Sequence, residues 1–248
     1  MHFSKKSFEK ILCRFPLAYA HLRNLCGAKD WEKQTFLKTI RPGWTLIEIG
    51  ANLGYFTNLF QSIVGSRGQV HAFEPVPSTF QQLQNTLSKS RNNCTPYNLG
   101  TANEAGEVIF HVPLNDHGQA TMSPHDCKSW KSREIEEVTC SVIKLDEFTP
   151  ICSLTKIDFI KIDVEGAELP SLLGAKHILR KHKPILFVEA CKAWMKSFGY
   201  NAEELDAFLR SISYSKFEVV GRKPHSIDSV ESFLRSKGEE DSYNFLIS

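Results

Sequence analysis

An apolar run, Trp44-Thr45-Leu46-Ile47-Glu48-Ile49, leads straight into Gly50-Ala51-Asn52-Leu53-Gly54-Tyr55, and a second run, Val70-His71-Ala72-Phe73, ends on Glu74 and Pro75. A strand that empties into a two-glycine turn, followed by a strand that ends on an acid, constrains the chain more than any other feature. It demands an open α/β sheet whose ligand lies over the carboxyl ends of the strands. Gly50 and Gly54 let the backbone pass close to a ligand, and Glu74 can accept hydrogen bonds from two ribose hydroxyls. The pair predicts a nucleoside pocket.

The remaining pattern fits such a sheet. Strands are expected at 44–49, 69–73, 94–98, 157–162 and 184–189, with helices at about 54–64, 77–89, 169–181 and 201–212. This alternation means right-handed crossovers and a mainly parallel sheet with helices on both faces. Up to about residue 40, Phe3, Phe8, Ile11, Leu12 and Phe15 recur among charged residues at helical spacing, which predicts a helical segment over 1–40 packed on a main domain over 41–248. Between about 104 and 145, two short strands at 106–112 and 137–142 enclose a polar stretch too long for an ordinary connection. It reads as a lid-like insertion. The segments 216–220 and 243–247 are expected to pair as an antiparallel hairpin at the sheet edge.

With 42% hydrophobic and 23% charged residues the chain is globular rather than disordered. A net charge of +2, with basic residues scattered, argues against nucleic acid as a partner. No apolar run approaches the roughly 20 residues needed to span a bilayer. The cysteines are odd in number and form no C-x-x-C pair, so they read as reduced thiols. Glu9, Lys10 and Arg14 interrupt what would otherwise imitate a signal peptide, and the expected location is cytoplasmic.

A dinucleotide site would carry a glycine where Asn52 stands, so the turn suits a nucleoside without phosphates, such as S-adenosylmethionine. The second cluster is Ile157-Asp158-Phe159-Ile160-Lys161-Ile162-Asp163-Val164-Glu165-Gly166-Ala167-Glu168, a hydrophobic strand that delivers three acids to its carboxyl end. Asp163 and Glu165 are the candidate catalytic bases, while Glu168 also suits a plain helix N-terminus. Asn98 and Leu99, at the end of the third strand, could bound the adenine, and Tyr55 and Phe56 could pack on the cofactor. Trp194, Phe198 and Tyr200 suit either an acceptor pocket or the core. His111, His117 and His125 lie in or beside the insertion, and a surface position is the better reading of each.

These motifs resemble the FkbM-type family of class I S-adenosylmethionine-dependent methyltransferases. The resemblance runs through Glu48 to Thr57, Phe73-Glu74-Pro75, Lys161 to Glu168 and Lys183 to Glu189, in that order. It implies a Rossmann-like, seven-stranded sheet with an antiparallel last strand, and methylation of a hydroxyl on a sugar, glycan or other small molecule. The cofactor-binding residues that the motifs and the resemblance together point to are Glu48, Gly50, Asn52, Gly54, Tyr55, Glu74 and Pro75, with Asn98 and Leu99 from their place at the end of the third strand. Glu48 departs from the more usual aspartate, and Pro170 is atypical after the acidic turn. Asp163 and Glu189, at neighbouring strand tips, resemble the magnesium-binding acids of catechol-type methyltransferases, but such pairs are common in this fold without a metal, and Mg²⁺ is not favoured. A nicotinamide-dependent oxidoreductase and a non-catalytic nucleoside-binding module are the rival readings. The oligomeric state stays open.

Overall fold

The computed structural model describes residues 30–88, 93–114, 119–124, 130 and 133–248, together with Leu12, Phe15, Ala18 and Tyr19. The strands in chain order are β1 (Thr45–Ile49), β2 (Gln69–Phe73), β3 (Cys94–Tyr97), β4 (Gly100–Thr101), β5 (Gly106–Pro113), β6 (Ile135–Ile143), β7 (Phe159–Ile162), β8 (Ile185–Cys191), β9 (Phe217–Val219), β10 (His225–Ile227) and β11 (Ser242–Ile247). The helices are α1 (Trp31–Thr39), α2 (Tyr55–Val64), α3 (Pro77–Leu87), α4 (Thr149–Cys152), α5 (Glu168–Leu173), α6 (Lys176–His182), α7 (Lys192–Ser197), α8 (Ala202–Ser211) and α9 (Val230–Leu234).

β1, β7 and β8 are built almost wholly from buried residues, as central parallel strands covered on both faces must be. β1 pairs in parallel with β2 and with β7, β7 with β8, and β2 with β3. The order is β10-β9-β11-β8-β7-β1-β2-β3, with β11 antiparallel to both its neighbours. The expected pairing of 216–220 with 243–247 exists, but β11 lies inside the sheet between β8 and β9 rather than at its edge. The outermost strand is β10, which makes the sheet eight-stranded.

The two-residue period of the strands sorts their side chains between two apolar layers. Leu46, Phe159 and Phe187 face α1 and α2, where Phe36, Leu37, Phe60 and Ile63 cover them. Phe36 meets Phe56, Phe60, Phe159 and Phe187 at ring-centroid distances of 4.6 to 5.9 Å and so staples α1 to the sheet. Ile47, Ile160 and Leu186 face the opposite way, toward Leu172, Ile178 and Leu209 of α5, α6 and α8. Pro77 opens α3, and α8 starts with a reciprocal Asn201–Glu204 capping box.

The helix expected over 169–181 is two helices. A Cβ on Gly174 would fall 2.0 Å from the Ala102 carbonyl oxygen, so the backbone passes close to Ala102 at the break. The Asp146 carboxylate then caps α6, accepting from His177 N and Ile178 N at 2.8 and 2.9 Å. Over 104–145, β5 and β6 form one antiparallel ladder, and β4 completes a separate three-stranded sheet. Most of the helical segment expected over 1–40 lies outside the described residues; its described part is α1 with Tyr19, whose ring is buried against the Phe36 layer. No described helix is long and apolar enough to cross a membrane.

Candidate functional site

Beyond β1 the chain turns with Gly50 at φ +83° and Asn52 at φ +48°. Gly50 N and Ala51 N both donate to the Phe73 carbonyl, which ties this turn to β2. A Cβ on Gly50 would sit 2.0 Å from the Asp163 carbonyl oxygen, so only glycine lets the β1 turn lie against the turn that follows β7. Glu74 closes the other side. Its Oε2 accepts from Asn52 N at 2.9 Å and its Oε1 from Val76 N at 3.1 Å. Burial pushes its carboxyl up to about 7 against the pull of these two N–H groups. Asn98 secures the same corner by donating to the carbonyls of Glu74 and Pro75 at 2.9 and 2.8 Å.

The β7 turn places Glu165 at φ +53° and Gly166 at φ +102°. Glu168 supports it from within, accepting from Val164 N at 3.1 Å and Gly166 N at 3.2 Å, and burial pushes this carboxyl to about 7 as well. The Tyr200 hydroxyl donates to the Gly166 carbonyl at 3.0 Å, and Phe198 lies against Gly166. Tyr200 and Phe198 therefore buttress the acidic turn rather than offer a free aromatic wall.

Beneath the turns, on the α1 side of the sheet, lies a row of ionisable groups. Lys161 is fully buried, with Nζ 2.8 Å from Asp163 Oδ2 and 5.6 Å from the centre of the Phe56 ring. Burial disfavours its ammonium, but the carboxylates of Asp163 and Glu48 more than offset this and raise it. Burial likewise opposes an ionised Asp163, yet Lys161 overcomes it and holds Asp163 below its ordinary value. Glu189 is driven the other way, well above its ordinary range, by burial and by the Asp163 carboxylate. Ser242 donates to Glu189, and α1 brings in Glu32, which accepts from Asn244 at 2.7 Å.

A crevice opens above the strand ends, lined by Gly50, Asn52, Glu74, Pro75, Leu99, Asp163 and Glu165, with Phe110, Ala120 and Met122 contributed by the 104–145 segment. Seven of the sequence-predicted residues thus meet in one place. The others do not line it. Glu48 is buried on the α1 face, where it accepts from the Thr57 hydroxyl at 2.6 Å, because strand alternation turns it away from the opening. Gly54 caps α2 and Asn98 braces the Glu74 corner. Tyr55 is 60% exposed and its hydroxyl donates to Asp30 at 2.9 Å, on the outside of α2. His111 faces Glu137 at 3.6 Å, while His117 and His125 lie outside the described residues. Lys161 and Glu32 were not anticipated; a lysine inside the otherwise apolar Phe159-Ile160-Lys161-Ile162 strand was the available signal for the first.

Residues 48–216 match the model of the methyltransferase FkbM domain. The chain belongs to the FkbM methyltransferase family. Among its relatives are the hexuronic acid methyltransferase AglP of Haloferax volcanii, 26% identical over 160 residues, and the 31-O-demethyl-FK506 methyltransferase FkbM of Streptomyces tacrolimicus, 26% identical over 162. The first match covers 64% of this chain and 61% of AglP; the second covers 55% of this chain and 61% of the Streptomyces protein. The chain spans about three-fifths of the length of either. The crystal structure of methyltransferase FkbM from Methylobacillus flagellatus shares the fold, with a TM-score of 0.50 at 19% identity, over 88% of this chain and 55% of that one.

The crevice suits the cofactor that FkbM methyltransferases imply. Asn52 Oδ1 is buried without a hydrogen-bond partner, and Glu74 can accept more bonds than its two backbone donors supply. Among the described residues, Asp163, Glu165 and Glu189 bring carboxylate oxygens within 4.8 Å of one another. That donor set is oxygen-only, as a hard cation requires. One of the three, Asp163, already pairs with the Lys161 ammonium.

Proposed function

We propose that this chain is an S-adenosylmethionine-dependent O-methyltransferase acting on a hydroxyl of a small molecule, with hexuronic acids and related sugars as the first acceptor class. The carrying observation is the meeting of the Gly50 turn, Glu74 and the Asp163–Glu165 turn around one crevice in a chain of this family. AglP's name supports the sugar acid, and the Streptomyces relative's name supports oxygen as the methylated atom.

When bound, S-adenosylmethionine supplies a methyl group on a sulfonium, ready for in-line displacement. The chain's task is to place a hydroxyl oxygen behind that methyl and to take its proton. Glu74 accepts the two ribose hydroxyls, and Gly50, Asn52, Pro75 and Leu99 shape the nucleoside's bed. Glu165 receives the acceptor's proton, while Asp163, kept ionised by Lys161, orients the hydroxyl and stabilises positive charge near it. The insertion supplies the crevice wall through Phe110, Ala120 and Met122, excluding water from the reacting atoms.

The test incubates the protein with isotope-labelled S-adenosylmethionine and a panel of hexuronic acids, neutral sugars and hydroxylated natural products, read by mass spectrometry. A labelled methyl on an acceptor oxygen is expected. Calorimetric binding of NAD but not of S-adenosylmethionine would instead identify a nicotinamide enzyme, and cofactor binding with no methylated product across the panel would favour a binding module.

A further inference from the structure

We infer that Thr121 is a positioning residue for Glu165, clamping the insertion onto the acidic turn so that the Glu165 carboxylate is held at the crevice wall. The inference rests on the methyltransferase reading above. Thr121 lies far from the β7 turn in sequence, yet it is fully buried, and its Oγ1 donates to the Glu165 carbonyl oxygen at 2.9 Å. Glu165 is the residue that needs such a clamp. It stands at φ +53°, a left-handed conformation that is strained for a non-glycine residue and persists only where its surroundings impose it.

The opposing sides of the clamp are themselves fixed. Thr121 and His111 exchange backbone hydrogen bonds of 2.8 and 3.1 Å, which anchors Thr121 to β5. Two residues on, the Ser123 hydroxyl donates to the Ser197 carbonyl at 2.8 Å, a second tie from the same loop to α7. On the turn side, Glu168 and Tyr200 hold the residues flanking Glu165 through Val164 N, Gly166 N and the Gly166 carbonyl. Within this network the Thr121 hydroxyl reaches the Glu165 carbonyl. Because Ala120 and Met122 flank Thr121 and line the crevice, the bond also sets how far the wall stands from the carboxylate.

Thr121→Val removes the hydroxyl and keeps the branched shape, and Thr121→Ser restores a donor. The clamp predicts that T121V lowers kcat for methyl transfer about ten-fold, the worth of one hydrogen bond, while KM for S-adenosylmethionine moves less than about two-fold. T121S should recover most of the loss. Hydrogen–deuterium exchange read by mass spectrometry supplies a measure that needs no acceptor: amides in the peptide spanning 163–167 should exchange about ten-fold faster in T121V than in wild type, with T121S close to wild type. Wild-type kinetics and exchange in T121V, or failure of T121S to restore either, overturns the inference. If wild type itself methylates nothing, the functional reading fails while the exchange comparison still decides the clamp. Should T121V not fold, Thr121→Cys, of similar volume and with a weaker donor, supplies the same comparison.

Discussion

Lys161 in β7 and Asp163 just past its end bring Nζ and Oδ2 to 2.8 Å apart, and this pair is the hub of the charge arrangement under the crevice. The same buried cation draws Glu48 and Glu32 downward against the burial that raises both.

Breaking the pair from one side is therefore expected to be expensive. Lys161→Met leaves Asp163 without its counter-ion and should lower unfolding free energy by roughly 3–5 kcal/mol, measured by urea titration. The double variant K161M/D163N should regain part of that loss. Additive losses in the two single variants would show that the contact contributes nothing of its own.

Glu74 provides a test of the nucleoside site. Glu74→Ala should weaken S-adenosylmethionine by about 1.5–3 kcal/mol per lost ribose bond, at least ten-fold in Kd. The ionised carboxylate accepts from both hydroxyls, whereas the protonated form must also donate. Since its carboxyl lies at about 7, affinity should rise between about pH 6 and about pH 8 in wild type and stay flat in Glu74→Gln, as read by calorimetry. A flat wild-type profile would detach Glu74 from the ribose.

Glu168 is a matter of stability rather than transfer. Its folded-state carboxyl lies at about 7 against an ordinary 4.5, so its contribution is fully present below 4.5 and is lost as pH rises toward 7. The loss is on the order of 3 kcal/mol, and Glu48 and Glu74 act in the same direction. Denaturation series in Glu168→Gln should therefore show a shallower decline across that window than wild type; an unchanged slope would mean that Glu168 is ionised in the fold.

Gly50→Ala tests the contact between the two turns. A methyl group 2.0 Å from the Asp163 carbonyl must push the β1 and β7 turns apart, and the residue would also be left at φ +83°. Cofactor affinity is expected to fall at least ten-fold and Tm by several degrees. Wild-type binding by this variant would place the cofactor elsewhere.

The central strands, the glycine turn and the acidic turn were legible because each couples an apolar run to residues with particular backbone or charge requirements. The break at Gly174 was not, since a glycine within a helical pattern shows its reason only when Ala102 is packed against it. Glu48 and Tyr55 belong to the right motif, but the motif does not show which way a side chain faces; strand alternation sends one under α2 and helix geometry sends the other outward. Glu32 reaches Asn244 across most of the chain, a contact no local pattern encodes. The placement of β11 inside the sheet was hidden in the same way, because pairing partners can be read from two apolar runs while their position among the other strands cannot.

That interior position of β11 has a bearing on biogenesis. On the ribosome, β8 and β9 are made well before Ser242–Ile247 emerges, so until then each presents a bare edge of unpaired amides. A nascent chain stalled short of Ser242 would hold two such edges ready to join with other molecules, and the arrival of Ser242–Ile247 closes both at once.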